Sequence, residues 1–316
     1  MKKIAICLLI GAIVTTRIFA QSITGQIGLY SIVNNDNLSA ESARILKNKI
    51  DNIVASNGYG SYSYIDRFVL SASVDVISNN ITPTNPPRVS KSIDITFIVG
   101  DVIENVTFAS CVISSQGLGL NDNKALINAF SAITASNPSI QQMLSTAFSS
   151  ISTYYGSNQE KFINQANAIA RKGDFDEAIA YLMSIPPIDD NCYQACQDAA
   201  IAIYKLKVNT TSSISYQSAK EAWVGNKTKE GAKKSLALLK QVDPASDCYS
   251  SALVLWDEIS QKLDSDEREA KEMAMLQYND KQKFKMGILD ACKSIGVAFC
   301  EHRPQNVTKV VRGWFY

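Results

Sequence analysis

The chain has 316 residues and a formal net charge of +1 at pH 7. This length allows two domains, and a hydrophobic content of 46% is enough for packed cores. A net charge so close to zero creates no field that would attract nucleic acid or anionic lipid, so we expect neither as a partner. Partners must be selected by shape and local chemistry.

Residues 1–20 have the pattern of a secretory signal. Lysines directly after the first methionine precede an apolar run over residues 4–14, and Ala20 is a small residue at the expected cleavage point. About eleven apolar residues are too few to span a bilayer. Cys7 has too little sequence before it to be a lipobox cysteine. The short Met-Lys-Lys start is typical of a bacterial signal. We therefore predict export to the periplasm or outer surface of a Gram-negative bacterium, with no transmembrane segment in the mature chain.

Export to an oxidising compartment would permit disulfides. The chain has seven cysteines, and the one at position 7 would leave with the signal. Candidate disulfide cysteines are Cys192, Cys196, Cys248, Cys292 and Cys300. The sequence does not fix their connectivity, and buried thiols acting as small apolar side chains are the alternative. Since no CxxC motif is present and His302 is the sole histidine, we expect neither a metal nor another cofactor.

A strand followed by a helix is predicted after the signal. Residues 25–33 alternate between apolar and small or polar positions, as a half-buried strand does. Ser39 is a plausible N-cap, and an apolar stripe from Leu46 to Val54 gives the helix a buried face. Residues 57–58, Asn-Gly, are expected to end it.

Three further strands and a second helix follow. Strands are predicted over residues 68–76, 93–99 and 106–113, the last two as an antiparallel hairpin. Residues 79–90 contain three prolines among Asn and Thr and are predicted to form a loop. A helix capped by Asn121 or Asp122 would complete this part of the chain.

Gly117 and Gly119 precede the second helix. A Gly-x-Gly sequence entering a helix can bind phosphate through exposed N–H groups. Here the third glycine, the Lys-Ser/Thr pair and the βαβ context are missing, which favours a plain turn.

The order strand, helix, three strands, helix predicts a mostly antiparallel sheet covered by helices on one face. Over residues 25–135 this order resembles the periplasmic module of the TolB amino-terminal, curli-secretion and flagellar-assembly lipoprotein families. The resemblance rests on the capped helix from Ser39, the strand start at residues 68–70 and the glycine-rich turn at 117–119. Those relatives are commonly lipid-anchored or pore-forming. Because this chain lacks a lipobox, the resemblance does not extend to pore formation.

A helix pair is predicted over residues 159–183. Gly173 can end the first helix in a left-handed conformation, and Asp174 can cap the second. Small and packing residues followed by Pro186 and Pro187 resemble a tetratricopeptide repeat, a resemblance that covers about residues 159–263. Such a repeat cannot bury its apolar face alone, so stacked neighbours are implied.

A partial copy of this motif lies at residues 235–244. The wide spacing requires another helix pair between the copies, which we place at residues 193–207 and 216–223, joined by a Ser/Thr-rich stretch at 209–215. The repeats are therefore irregular. Charged residues at 264–272 and 281–285 predict a solvated helix face and a polar cap for the array.

These patterns predict an α+β protein with four parts. They are a signal peptide at residues 1–20, an α/β domain at 21–135, a helical repeat domain at 136–300 and a tail at 301–316. The tail ends in Trp314, Phe315 and Tyr316, which we predict to bind a partner because Trp and Tyr carry much interface energy. Packing of the tail back onto the repeats is the alternative.

No motif commits the chain to a reaction. A Ser-His or Cys-His mechanism would have to use His302, and no nucleophile elbow, HExxH or phosphate loop is present. We therefore expect an exported non-enzymatic scaffold or adaptor that binds protein in an envelope-associated assembly. A structural subunit of a secretion or phage particle, or a module binding glycan or peptidoglycan, is the alternative. The oligomeric state stays open.

Overall fold

A computed structural model describes most of the chain beyond the predicted signal. It covers residues 27–34, 38–60, 67–131, 133–261, 281–302 and 307–315. The predicted signal, the charged run at 264–272 and Tyr316 lie outside the described residues. No helix of the described part is long and apolar enough to cross a membrane.

The chain divides into two compact units. The first comprises Met1–Asn158, Pro186–Asp190 and Arg303–Tyr316; the second comprises Gln159–Ile185 and Asn191–His302. The first unit thus includes a helix beyond the predicted boundary at residue 135 and also the C-terminal tail.

The fold is α+β: a four-stranded sheet precedes a long series of helices. The strands are β1 (Leu29–Val33), β2 (Phe68–Thr82), β3 (Arg88–Asp101) and β4 (Val106–Gly119). Their order in the sheet is the order in sequence. β1 pairs with β2 in parallel, while β2 with β3 and β3 with β4 are antiparallel. The predicted mostly antiparallel sheet is confirmed.

Ten helices are described. They are α1 (Ala40–Ser56), α2 (Asp122–Ser131), α3 (Pro138–Ser157), α4 (Gln159–Ala170), α5 (Phe175–Met183), α6 (Asp190–Gly225), α7 (Lys229–Leu239), α8 (Tyr249–Ser260), α9 (Lys281–His302) and α10 (Val307–Gly313). The predicted start of α1 is confirmed, because the Ser39 hydroxyl accepts a hydrogen bond from the Ser42 amide. Gly58 follows the helix with a φ of 79°, as the predicted end requires.

One end of the sheet is buried on both faces. All residues of the segments 68–72 and 97–101 are buried, although neighbouring side chains in a strand point to opposite faces. The expectation that only one face of the sheet is covered is therefore wrong at this end. Strands buried on both faces lose the apolar-polar alternation on which the prediction depended.

The predicted loop at residues 79–90 is wrong at both of its ends. Residues 79–82 extend β2 and residues 88–90 begin β3, so that the connection is confined to 83–87, where the prolines lie. Polar residues can form strands when their side chains have partners, and Asn79 donates to Asp122 at 3.1 Å.

The predicted glycine turn is also a strand. β4 continues through Gly117 and Gly119 and packs against α2. A methyl group on Gly117 would overlap backbone atoms of Ala125 and Ala129, so glycine is required there by the close approach of the helix.

In the second unit the predicted helix pair is α4 and α5, which pack together. Gly173 adopts the left-handed conformation with a φ of 94°. Asp174 precedes α5 at the expected place, but its side chain makes no capping hydrogen bond. Every residue from Ala178 to Met183 is buried. An amphipathic helix would bury only the residues of one face, so this segment is covered on more than one side.

The helix pair predicted at residues 193–207 and 216–223 is a single helix, α6, of 36 residues. Its Ser/Thr-rich stretch contains neither Gly nor Pro. The Thr211 hydroxyl bonds back to the Lys207 carbonyl at 2.9 Å, which satisfies the side chain without ending the helix. The end of α6 forms an apolar core with α7 and α8, centred on Trp223, Leu236 and Ile259.

Candidate functional site

The C-terminal aromatic residues lie in the first unit. Trp314 is half-buried, and its ring packs on Gly100 of β3, where a methyl group would lie 2.6 Å from Cη2. The indole Nε1 donates to Asn105 Oδ1 at 3.0 Å. Trp314 therefore has a binding site on the sheet of its own chain. Phe315 is half-buried beside it in sequence, and Tyr316 lies outside the described residues.

The turn that Trp314 contacts is fixed by Asp101. Its Oδ1 accepts hydrogen bonds from the amides of Ile103 at 2.8 Å and Glu104 at 3.0 Å. Asn105 follows with a φ of 54°, a left-handed conformation that Asn tolerates better than most residues. Local side-chain bonds thus shape the connection between β3 and β4.

A buried ionic cluster lies behind this turn. Arg67 Nε donates to Asp101 Oδ2 at 2.6 Å, and the Tyr155 hydroxyl donates to the same oxygen. Arg67 Nη2 lies 3.5 Å from Glu104 Oε1, while the Tyr154 hydroxyl donates to Glu104 Oε2 at 3.1 Å. One cation and two carboxylates are therefore joined by two tyrosines of α3.

Burial and charge act together on the pKa values in this cluster. Desolvation of Tyr155, helped by the nearby Asp101 carboxylate, raises the pKa of its phenol well above the usual value. Burial lowers the pKa of Arg67, but the charge and hydrogen bond of Asp101, together with Tyr155 and Glu104, outweigh it, so that the pKa is raised. Arg67 stays charged and Tyr155 neutral at physiological pH. Because these groups bond to one another, the cluster is suited to holding the turn in place.

The second notable feature is an unpaired edge of β2. β1 pairs with β2 only as far as Val33 opposite Ala72, whereas β2 continues to Thr82. We call residues 73–82 of β2 the distal edge. On one side it pairs with β3, and on the other side no described strand accompanies it.

The distal edge exposes large apolar side chains. Val76, Ile77 and Ile81 are 49%, 61% and 76% exposed. All are β-branched, the residue type that fits a pleated strand. The distal edge thus carries residues typical of a paired strand, although no described strand pairs with its free side. A bulge between Val76 and Ser78 interrupts its register with β3.

Two carboxylates on the neighbouring strands β2 and β3 lie directly opposite each other. Asp75 is directly opposite Asp94, and Asp94 accepts a hydrogen bond from the Ser114 hydroxyl at 2.6 Å. No lysine or arginine of the described part forms an ion pair with either of them. Like charges on directly opposite residues destabilise a strand pair. A positively charged group supplied by a binding partner would therefore be favoured beside these two carboxylates.

The structure joins none of the five described cysteines in a disulfide, and the side chain of Cys300 lies outside the described residues. The five are Cys111, Cys192, Cys196, Cys248 and Cys292. Burial raises the pKa of Cys111 and of Cys292 to about 11, which suppresses the thiolate form. Among the described residues no group of three or more His, Cys, Asp or Glu side chains could hold a metal ion.

Searches of protein-family models, curated proteins and solved structures returned no match to this chain. The distal edge and the ionic cluster were both missed in the sequence. The β-branched residues at 76, 77 and 81 were a signal for the first, and the charges that flank strand ends at Arg67 and Asp101 were a signal for the second.

Proposed function

We propose that the chain is an exported, non-enzymatic scaffold or adaptor that binds other proteins in the envelope of a Gram-negative bacterium, with the distal edge as a docking surface. The observation that carries the proposal is a strand that no described strand accompanies on one of its two sides and that exposes Val76, Ile77 and Ile81. Unprotected edges are templates for pairing with another chain, and natural proteins normally shorten, charge or cover them. An edge kept open is therefore suited to recognition by strand addition.

The remaining parts of the proposal rest on sequence patterns. The signal-like residues 1–20 support export. The α4–α5 pair with its left-handed Gly173 supports an irregular tetratricopeptide-like array in the second unit. In such an array the concave surface is a further protein-binding face.

Site-specific photo-crosslinking tests the docking surface. The chain, with its own signal, carries a photo-reactive phenylalanine at Ile81 in one variant and at Val254 of α8 in the control. Both positions are strongly exposed, at 76% and 71%. We expect a discrete crosslinked partner from position 81 and none from position 254.

A second variant distinguishes specific docking from general stickiness. Ile77→Lys places a charge on the distal edge and should abolish the crosslink from position 81. A crosslink that survives this change, or that forms equally from position 254, would contradict the docking surface. A crosslink between two copies of the chain would instead favour the structural subunit.

A further inference from the structure

The backbone of the distal edge is oriented to accept another strand. The Ala72 carbonyl accepts a hydrogen bond from the Asn34 amide at 2.9 Å, so the polar groups of Ala72 face β1. Because this orientation repeats every second residue, the amides and carbonyls of Val74 and Val76 face the same side, beyond the end of β1. A strand placed there would continue the sheet next to β1.

The side chains along this edge define what such a strand must carry. Val74 and Val76 lie opposite Ile95 and Ile93, which are buried, so this face requires apolar partners. Asp75 lies opposite Asp94 on the other face. Side chains of an added strand alternate between the same two faces.

From this charge pattern we propose that the occupant of the distal edge is an extended peptide segment that alternates β-branched apolar residues with lysine or arginine. Its apolar side chains extend the face of Val74 and Val76, and its cations relieve the repulsion between Asp75 and Asp94. Opposite charges on neighbouring strands stabilise a sheet, and electrostatic complementarity selects among partners that share the same backbone bonds. This inference rests on the proposed function and specifies the chemistry of the partner.

The free side of the distal edge is long enough to pair with a short peptide segment. β2 has 15 residues and β1 pairs with five of them, which leaves 15 − 5 = 10 on the free side. At about 3.3 Å per residue these span roughly 33 Å. The bulge between Val76 and Ser78 interrupts the regular register. The strongest pairing is therefore expected next to the end of β1.

Fluorescence anisotropy with defined probes tests the inference on the full mature chain. The basic probe is the labelled peptide Thr-Val-Lys-Val-Lys-Val-Thr, and the acidic probe has glutamate in place of both lysines. We expect the basic probe to bind about tenfold more tightly, since each partly exposed ion pair changes affinity severalfold. Equal binding of the two probes, or no binding of the basic probe, would overturn the proposal.

Asp75→Lys is the matched variant. It replaces a like-charge pair by Lys opposite Asp94, so the fold should be retained, as a thermal melt would show. The variant should bind the acidic probe at least as tightly as the basic one. An unchanged preference for the basic probe would show that Asp75 does not select the ligand and would overturn the proposal.

Backbone pairing is tested by N-methylation of the basic probe at its valine amides or, separately, at its lysine amides. In an added strand either the valine amides or the lysine amides point toward β2. Methylation of the amides that point toward β2 removes their hydrogen bonds, so that probe should lose binding. Binding of both methylated probes would exclude strand addition. If the probes fail while position 81 still crosslinks to a partner, the docking surface stands and the proposed ligand chemistry is wrong.

Discussion

Burial separates the two kinds of ion pair in the first unit. The Arg67 and Asp101 side chains are 2% and 0% exposed, whereas Lys47 and Asp51 are 45% and 47% exposed. Water screens an exposed pair, which contributes about 0–1 kcal/mol. Removal of one partner from a buried pair leaves an uncompensated charge and costs about 3–5 kcal/mol.

Arg67→Met should therefore lower the free energy of unfolding of the first unit by about 3–5 kcal/mol. Lys47→Met, the control, should lower it by less than about 1 kcal/mol. Pulse proteolysis in urea, with fragments assigned to each unit by mass spectrometry, measures both. Equal losses in the two variants would show that the Arg67 cluster does not hold the fold together.

The raised pKa of Tyr155 predicts a loss of stability in alkali. In the unfolded chain a tyrosine has a pKa of about 10. Because the folded pKa is higher, the stabilisation is complete below pH 10 and is lost as the pH rises toward the folded value. The free energy of unfolding should fall between about pH 10 and pH 11.5 less steeply in Tyr155→Phe than in the natural chain. Parallel slopes in urea titrations would contradict this assignment.

Charges at the strand ends were a signal for the ionic cluster, but which of them pair could not be derived from the sequence, because the members are far apart in the chain. Arg67 and Asp101 meet only because the register of β2 and β3 pairs Phe68 with Asp101. Glu104 joins them through the turn, and two tyrosines of α3 complete the cluster. Composition and periodicity report which residues are buried but not which charges become neighbours.

Local signals predicted the helix ends better than the strand ends. The predicted cap at Ser39 and the predicted left-handed Gly173 are confirmed, because each of these signals depends only on residues close to it in sequence. The extension of β2 beyond residue 78 depends on pairing with β3, which is a long-range contact. β-propensity is context-dependent for this reason. The continuity of α6 was missed because Ser and Thr side chains bond within the helix.

The approach of α2 to β4 gives a test of one element contact. Gly117→Ala should cost about 1–3 kcal/mol or more, because the added methyl group would overlap the backbone of Ala125 and Ala129. Gly287→Ala in α9 meets nothing within 4 Å and should be neutral or stabilise the chain by about 0.5–1 kcal/mol. Thermal unfolding followed by circular dichroism compares them. A neutral Gly117→Ala would mean that the helix does not approach this closely.

At the scale of the whole molecule, the first unit contains segments from both ends of the described chain. The second unit lies between them in sequence, from Gln159 to His302 apart from residues 186–190. Composition gave no signal of this arrangement, since the tail is short and its contact with Gly100 and Asn105 bridges about two hundred positions. The sequence suggested an interaction of the tail but not its place.

Trp314→Ala should loosen the first unit and leave the second unchanged. The indole packs on Gly100 and bonds to Asn105, so its loss exposes the end of the sheet to solvent. Hydrogen exchange should quicken by about tenfold or more in residues 97–109 and stay the same in residues 178–183. Phe315→Ala is the control for general effects of the tail. Unchanged exchange in residues 97–109 would show that the tail does not stabilise the sheet.

The contact between Trp314 and the turn before β4 also sets an order of events during synthesis. Chains generally begin to fold from the N-terminus as they are made. Here the sheet has to wait for residue 314 before its end is covered, by which time the second unit has already been synthesised. A chain that stalls within the helices would therefore leave Gly100 and Asn105 without their indole. This end of the sheet is therefore covered only after the helices have been synthesised.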